Sequence, residues 1–139
     1  MRNRINTVLS THFGDDWYDT LPLGALERQQ IQKAKNSITK ERKAISNARV
    51  IAAANFGLWV NLFNGPYEEL WRKCLRKAFA EHPHTLERKR IRKDLAGIHR
   101  LRNRIAHYEP IIDLDTDALK RSIITMVQWM DASIVTYVQ

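Results

Sequence analysis

Apolar residues recur at three- and four-residue intervals along nearly the whole chain, and strict alternation bounded by turn residues is absent. The pattern predicts helices throughout. Residues 2–12 read as a short helix ending before Gly14-Asp15-Asp16. Trp17 to Gly24 reads as a loop punctuated by Pro22 and Gly24. From Ala25 to Lys43 good helix formers carry mixed charge with sparse apolar positions, Leu26, Ile31, Ala34 and Ile38. The most apolar stretch, Val50 to Phe63, places Val50, Ile51, Ala54, Leu58 and Leu62 at helical spacing with Trp59 and Phe63 beside them. It predicts one core helix capped by Ser46 or Asn47.

Gly65-Pro66 breaks that helix and opens another, whose inner stripe is Leu70, Trp71, Leu75, Ala78 and Phe79 and which stops before His82-Pro83-His84. A long helix from Thr85 to Ala106 follows. Its inner stripe is Ile91, Leu95, Ile98, Leu101 or Arg102, and Ile105. Pro110 forbids its continuation. Asp115 or Thr116 caps a last helix whose apolar face runs Leu119, Ile123, Met126, Val127, Met130, Ile134 and Val138. The expected fold is an all-α bundle of about four to five principal helices, and the length of 139 residues predicts a single domain spanning 1–139.

Charge changes this picture. The chain holds 23 lysines and arginines against 15 acids, a formal charge of +8. Such an excess points toward nucleic acid, an acidic membrane surface or acidic proteins. The segment from Thr85 to Ala106 carries eight basic residues against Glu87 and Asp94, and so most of the chain's excess. Residues 28–49 are also basic and would form the second wall of a groove if they lay across from that helix. The single cysteine, Cys74, excludes an internal disulfide and fits a reducing compartment. No cysteine pair exists for a zinc site, so no metal and no cofactor is expected. No signal segment is evident at the start, and Val50–Phe63 is too short and too polar to span a bilayer. A cytoplasmic protein without membrane association is the expectation.

The chemistry sits at the end of the basic helix, in Arg102-Asn103-Arg104-Ile105-Ala106-His107-Tyr108-Glu109-Pro110. An arginine can hold a phosphate in a bidentate fork, and a histidine can move a proton near neutrality. Five residues apart, Arg102 and His107 are rotated by roughly 140° on an ideal helix. Joint action needs the helix to end or loosen between them, or two copies brought together by a symmetric dimer. The competing explanation is that His107 only caps the helix C-terminus. His12, His82, His84 and His99 have no Arg-Asn pair at comparable spacing. Asn55 and Asn61, amides on an apolar stretch, read as satisfied core groups, with a place in the site as the alternative.

Arg102-Asn103-x-x-x-His107 resembles the Arg-x4–6-His motif of HEPN-domain ribonucleases. The longer segment Leu101 to Ile111 resembles the corresponding segment of Abi-like, abortive-infection members of that family. Asn55-Phe56-Gly57-Leu58-Trp59-Val60-Asn61-Leu62-Phe63 resembles their FG-x-W-x-x-L helix, Leu70-Trp71 to Phe79 the helix after it, and Phe13-Gly14-Asp15-Asp16-Trp17-Tyr18 their FG-x-x-W turn. Members usually carry a longer N-terminal region, so Arg2-Asn3-Arg4-Ile5 reads as the tail of a helix whose beginning is missing.

The resemblance implies a HEPN-like fold and a metal-independent endoribonuclease of a phage-defence or toxin–antitoxin system. In it His107 is the general acid or base, Arg102 stabilises transition-state charge, and Asn103 orients the phosphate or His107. Arg100, Arg104, Lys93, Arg92 and Lys89 bind flanking phosphates. RNA is the implied partner, together with a second copy in a homodimer and an antitoxin or sensor protein. Two other readings stay open: an inactive HEPN-like module that binds RNA or nucleotide, and a helical dimerisation domain with no nucleic-acid role.

Overall fold

The computed structural model describes residues 1–79 and 85–130, so the histidines at 82 and 84 and the apolar positions Ile134 and Val138 lie outside the described residues. Every regular element among the described residues is helical, and the chain divides into two compact units, Met1–Leu62 and Phe63–Gln139.

In the first unit α1 (Arg2–Phe13) buries Ile5 and Leu9. Gly14 turns the chain at φ 93°, a left-handed value that glycine takes without steric cost. A one-turn helix, α2 (Trp17–Thr20), stands where a loop was expected. It forms because Trp17 is fully buried against Trp59, ring centroids 6.2 Å apart, while its indole Nε1 donates to Asn6 Oδ1 at 2.9 Å. The Asn6 amide also exchanges hydrogen bonds with Asn47, whose Nδ2 reaches the Asp15 carbonyl at 2.7 Å. One polar knot thus joins α1, the Gly14 turn and Asn47. Helix α3 (Ala25–Lys40) buries Ile31, Ala34 and Ile38 and ends three residues earlier than expected, with Arg42 in a left-handed conformation at φ 60°.

The expected core helix is two helices, α4 (Asn47–Ala53) and α5 (Phe56–Asn61). Ser46 caps the first, as expected, accepting from the Arg49 N–H. The break lies at Asn55. Its backbone is extended, and its Oδ1 accepts the Leu58 N–H at 3.0 Å and faces Gln30 Nε2 at 3.4 Å. An asparagine that satisfies an orphan N–H in this way starts a new helix at the expense of continuing the old one. The change of direction lets Val50 and Ile51 of α4, and then Leu58, Trp59, Val60 and Leu62, all reach the interior. Asn55 is therefore a satisfied cap.

The second unit opens with a 3-10 turn (Gly65–Tyr67), α6 (Glu68–Lys73) and a second 3-10 turn (Leu75–Ala78), where one helix was expected. The predicted stripe is nonetheless interior. Leu70, Trp71, Leu75, Ala78 and Phe79 are all buried, and Phe63, Trp71 and Phe79 pack with ring centroids 6.0–6.2 Å apart. The stripe survives the change of helix type, and its residues stay interior through α6 and the second 3-10 turn. Burial pushes the Cys74 thiol above its ordinary pKa, which keeps it neutral.

Helix α7 (Arg88–Ala106) follows, three residues shorter at its start than expected, and α8 (Thr116–Met130) packs against it. Asp115 caps α8, its Oδ1 accepting the Ala118 N–H at 2.9 Å, in agreement with the sequence reading. The expectation of four to five principal helices is thus corrected. The described residues form eight α-helices and two 3-10 turns. Local caps and turns divide segments whose apolar periodicity reads as continuous.

Replacing Asn55 with alanine removes the α5 cap. The expected loss is about 1 kcal/mol of stability, read from urea unfolding monitored by Trp fluorescence. An unchanged midpoint would mean that the break does not depend on the cap.

Candidate functional site

Helix α7 positions every residue singled out for chemistry. Its first half is docked. Ile91 and Leu95 are buried, and Arg88 is buried with its guanidinium donating to the Glu68 carboxylate and to the Phe63 carbonyl. Arg92 donates from Nε to Asn64 Oδ1, and Arg90 pairs with the buried Asp94 at 3.0 Å. The second half loses its cover. Ile98 and Leu101 are half-buried, and Ile105, on the same stripe, is 58% exposed.

The helix does not loosen between Arg102 and His107. It runs regularly through Ala106, and His107 is its C-cap, with its N–H donating to the Asn103 carbonyl at 3.0 Å. Helical geometry then sorts the candidates. Lys89, Lys93, Arg100, Asn103 and His107 fall within an arc of about 80°, one stripe along the helix. All five are exposed. Arg102, also exposed, falls about 140° from His107, on the side that carries Ile91, Leu95, Ile98 and Ile105. The structure thus brings Asn103 and His107 onto one face together with three cations, and does not bring Arg102 there within one chain.

The termination itself is built from hydrogen bonds. The Tyr108 N–H donates to the Ile105 carbonyl at 3.2 Å and the Glu109 N–H to the Arg104 carbonyl at 2.8 Å, the paired bonds of a Schellman ending. That ending needs a left-handed residue, usually glycine, and here it is Tyr108 at φ 55°. Its side chain is 98% exposed, so no packing offsets the strain. Arg104 braces the segment beyond. Its guanidinium reaches the Asp113 carboxylate at 2.5 Å and the Pro110 carbonyl at 3.2 Å. Of the residues expected to contact phosphate, Arg104 and Arg92 are therefore engaged with the protein. Lys89 and Lys93 form no ion pair among the described residues, and Arg100 acts on Asp113 only through its charge.

Sequence reasoning missed Asp113 and the conformation of Tyr108. Asp113 carries no pattern of its own. The signal for Tyr108 was Pro110, because a helix that must stop there commonly ends through a left-handed residue shortly before it. No family model, curated protein or solved structure matches the chain. No helix among the described residues is long and apolar enough to cross a membrane.

Two outcomes follow from this geometry. Tyr108→Gly is expected to raise stability by about 0.5–1 kcal/mol in urea unfolding, since it relieves left-handed strain at an exposed position. A loss would mean that the ring is packed in solution. The hydrogen bond from Arg104, with the charges of Arg104 and Arg100, holds the Asp113 carboxyl below its ordinary 3.8. A depressed carboxylate pKa stabilises the fold above the unfolded-state value and loses that contribution as pH falls through the folded-state value. NMR titration should therefore place Asp113 below 3.8 in the wild type and return it toward that value in Arg104→Gln. Equal midpoints would remove the brace.

Proposed function

We propose that the protein is an endoribonuclease that cleaves RNA by internal attack of the 2′-hydroxyl, without a metal cofactor, as a homodimer in a phage-defence or toxin–antitoxin type system. The observation that carries the reading is the exposed stripe of Lys89, Lys93, Arg100, Asn103 and His107 along one helix. A polyanion lying along that stripe meets three cations and then a titratable imidazole at the end. The resemblance of the surrounding segments to HEPN ribonucleases supplies the reaction class.

In this reading His107 takes the proton from the 2′-hydroxyl, or delivers one to the departing 5′-oxygen. The new O–P bond forms as the P–O5′ bond breaks, leaving a 2′,3′-cyclic phosphate. Arg102 stabilises the charge that develops on the non-bridging oxygens. The regular helix holds Arg102 away from His107 of its own chain, so the reading requires Arg102 of one copy to meet His107 of the other. Support for a second copy comes from the apolar surface at this end of α7, where Ile105, Tyr108 and Ile112 are exposed, the last two almost completely. An antitoxin or sensor protein is the further partner of such a system.

Cleavage of a labelled structured RNA in excess EDTA, with cyclic-phosphate ends, is the expected result. His107→Ala and Arg102→Ala should each reduce the rate by about 100-fold or more. Both sites are exposed, so the variants are expected to fold. Mixing the two inactive variants should restore part of the activity, because each mixed dimer regains one complete Arg102–His107 pair. Binding of RNA without cleavage by a folded dimer would replace this reading with that of an RNA-binding module.

A further inference from the structure

Arg104 stands between Arg102 and His107, where a cation reads as a phosphate contact, but its guanidinium is turned to another use. Nη1 donates to the Asp113 carboxylate at 2.5 Å and to the Pro110 carbonyl at 3.2 Å, and the Arg104 side chain is only 26% exposed. The main-chain carbonyl of the same residue accepts the Glu109 N–H at 2.8 Å. One residue thus holds the chain at positions 109, 110 and 113. Every residue from Tyr108 to Asp113 is exposed, so polar contacts and not packing set the course of this segment.

The placement of His107 depends on that course. A histidine that moves a proton is commonly oriented by a second group, often a carboxylate, that fixes its tautomer and ring. Among the described residues the His107 imidazole is exposed and has no side-chain hydrogen bond. Its position is therefore set by its own backbone. His107 is the C-cap of α7, at φ −98° and ψ 11°, and Tyr108 follows it at φ 55°. Helix ends fray, and a left-handed conformation is unfavourable for a residue that carries a Cβ. The contacts of Arg104 lie immediately beyond the strained residue and close the segment back onto the helix.

We propose that Arg104 and Asp113 are positioning residues, which hold the left-handed turn at Tyr108 and through it aim the His107 imidazole. The proposal rests on the ribonuclease reading for the chemistry that His107 performs, and its structural half stands apart from that reading. It reverses the effect expected at Asp113. If Arg104 held a substrate phosphate, the Asp113 carboxylate would compete with the substrate, and removing it would free the guanidinium and tighten binding. If Arg104 positions His107, losing Asp113 costs as much as losing Arg104. A largely exposed ion pair adds little to global stability, so variants at either position are expected to fold with unfolding midpoints close to that of the wild type.

Arg104→Gln and Asp113→Ala are each expected to lower kcat for cleavage of a labelled RNA by about tenfold while KM stays near its wild-type value. The double variant should be no slower than either single one, because both remove the same contact. Asp113→Glu, which keeps a carboxylate, should recover much of the rate. Amide hydrogen exchange gives a readout that needs no cleavage. The Tyr108 and Glu109 N–H groups donate to main-chain carbonyls that no substitution removes. They should exchange about fivefold faster or more in Arg104→Gln and in Asp113→Ala, with the amides in the middle of α7 unchanged. A raised KM with kcat retained in Arg104→Gln, together with tighter RNA binding by Asp113→Ala, would return Arg104 to a phosphate contact and overturn the proposal. Unchanged exchange at Tyr108 and Glu109 in both variants would overturn it as well. A wild-type protein that cuts no RNA would remove the ribonuclease reading, and the exchange rates would still decide whether the pair holds the turn that carries His107.

Discussion

The placement of α7 depends on a buried guanidinium. Arg88 sits at the first helical position, 8% exposed, and a charge taken out of water there costs several kcal/mol unless its donors are met. They are met by the Glu68 carboxylate from α6 and by the carbonyl of Phe63. Phe63 belongs to the Phe63–Trp71–Phe79 aromatic cluster, and Glu68 lies in the chain between its first two members. The helix therefore starts where an ion pair and a main-chain oxygen coincide, and Ile91 and Leu95 enter the core one and two turns later. The two acceptors are reached from separate nitrogens, Nε and Nη1, a spread that the arginine fork provides and a lysine's single nitrogen does not.

From that anchor the rest of α7 follows by geometry. A straight helix of 19 residues fixed at its N-terminal end outruns the core that covers it, and its last turns emerge with an apolar stripe still in phase. This explains why Ile105 is exposed and why Arg102 stands at a position that would be interior if the core extended further. On the opposite stripe Lys89, Lys93, Arg100, Asn103 and His107 are exposed and concentrate positive charge at one surface. The ending is then enforced by hydrogen bonds, although Tyr108 is a poor residue for it. Strain at an exposed left-handed tyrosine, beside a titratable histidine, is the kind of local cost found at functional sites.

Much of this was legible in the sequence. The buried stripe of Leu70, Trp71, Leu75, Ala78 and Phe79, the caps to within one residue (Ser46 or Asn47, Asp115 or Thr116), and the end of the long helix before Pro110 all came from spacing and residue type. These features are local, and side chains a few residues apart decide them. The number of helices was not legible. Periodicity cannot distinguish one helix from two that share an apolar phase, and an asparagine inside an apolar run acts as a cap only when its carbonyl oxygen finds the right N–H. At Asn55 the choice depends partly on Gln30, twenty-five residues away. The one-turn helix at Trp17 is similar, since it forms around Trp59 and Asn6 and carries no periodicity of its own.

For the candidate site, the sequence alone determined that the Arg102–His107 segment, where the candidate residues cluster, lies at the end of a basic helix. It also determined the rotation between Arg102 and His107 for an unbroken helix, because that angle is a property of the α-helix. Whether the helix was unbroken was left to the tertiary structure. So was the division of the cations into those engaged with the protein, Arg88, Arg92 and Arg104, and those that face solvent, Lys89, Lys93 and Arg100. The physical reason is common to both. Charge and periodicity are written residue by residue, but desolvation and pairing depend on which distant groups the fold brings within hydrogen-bonding reach.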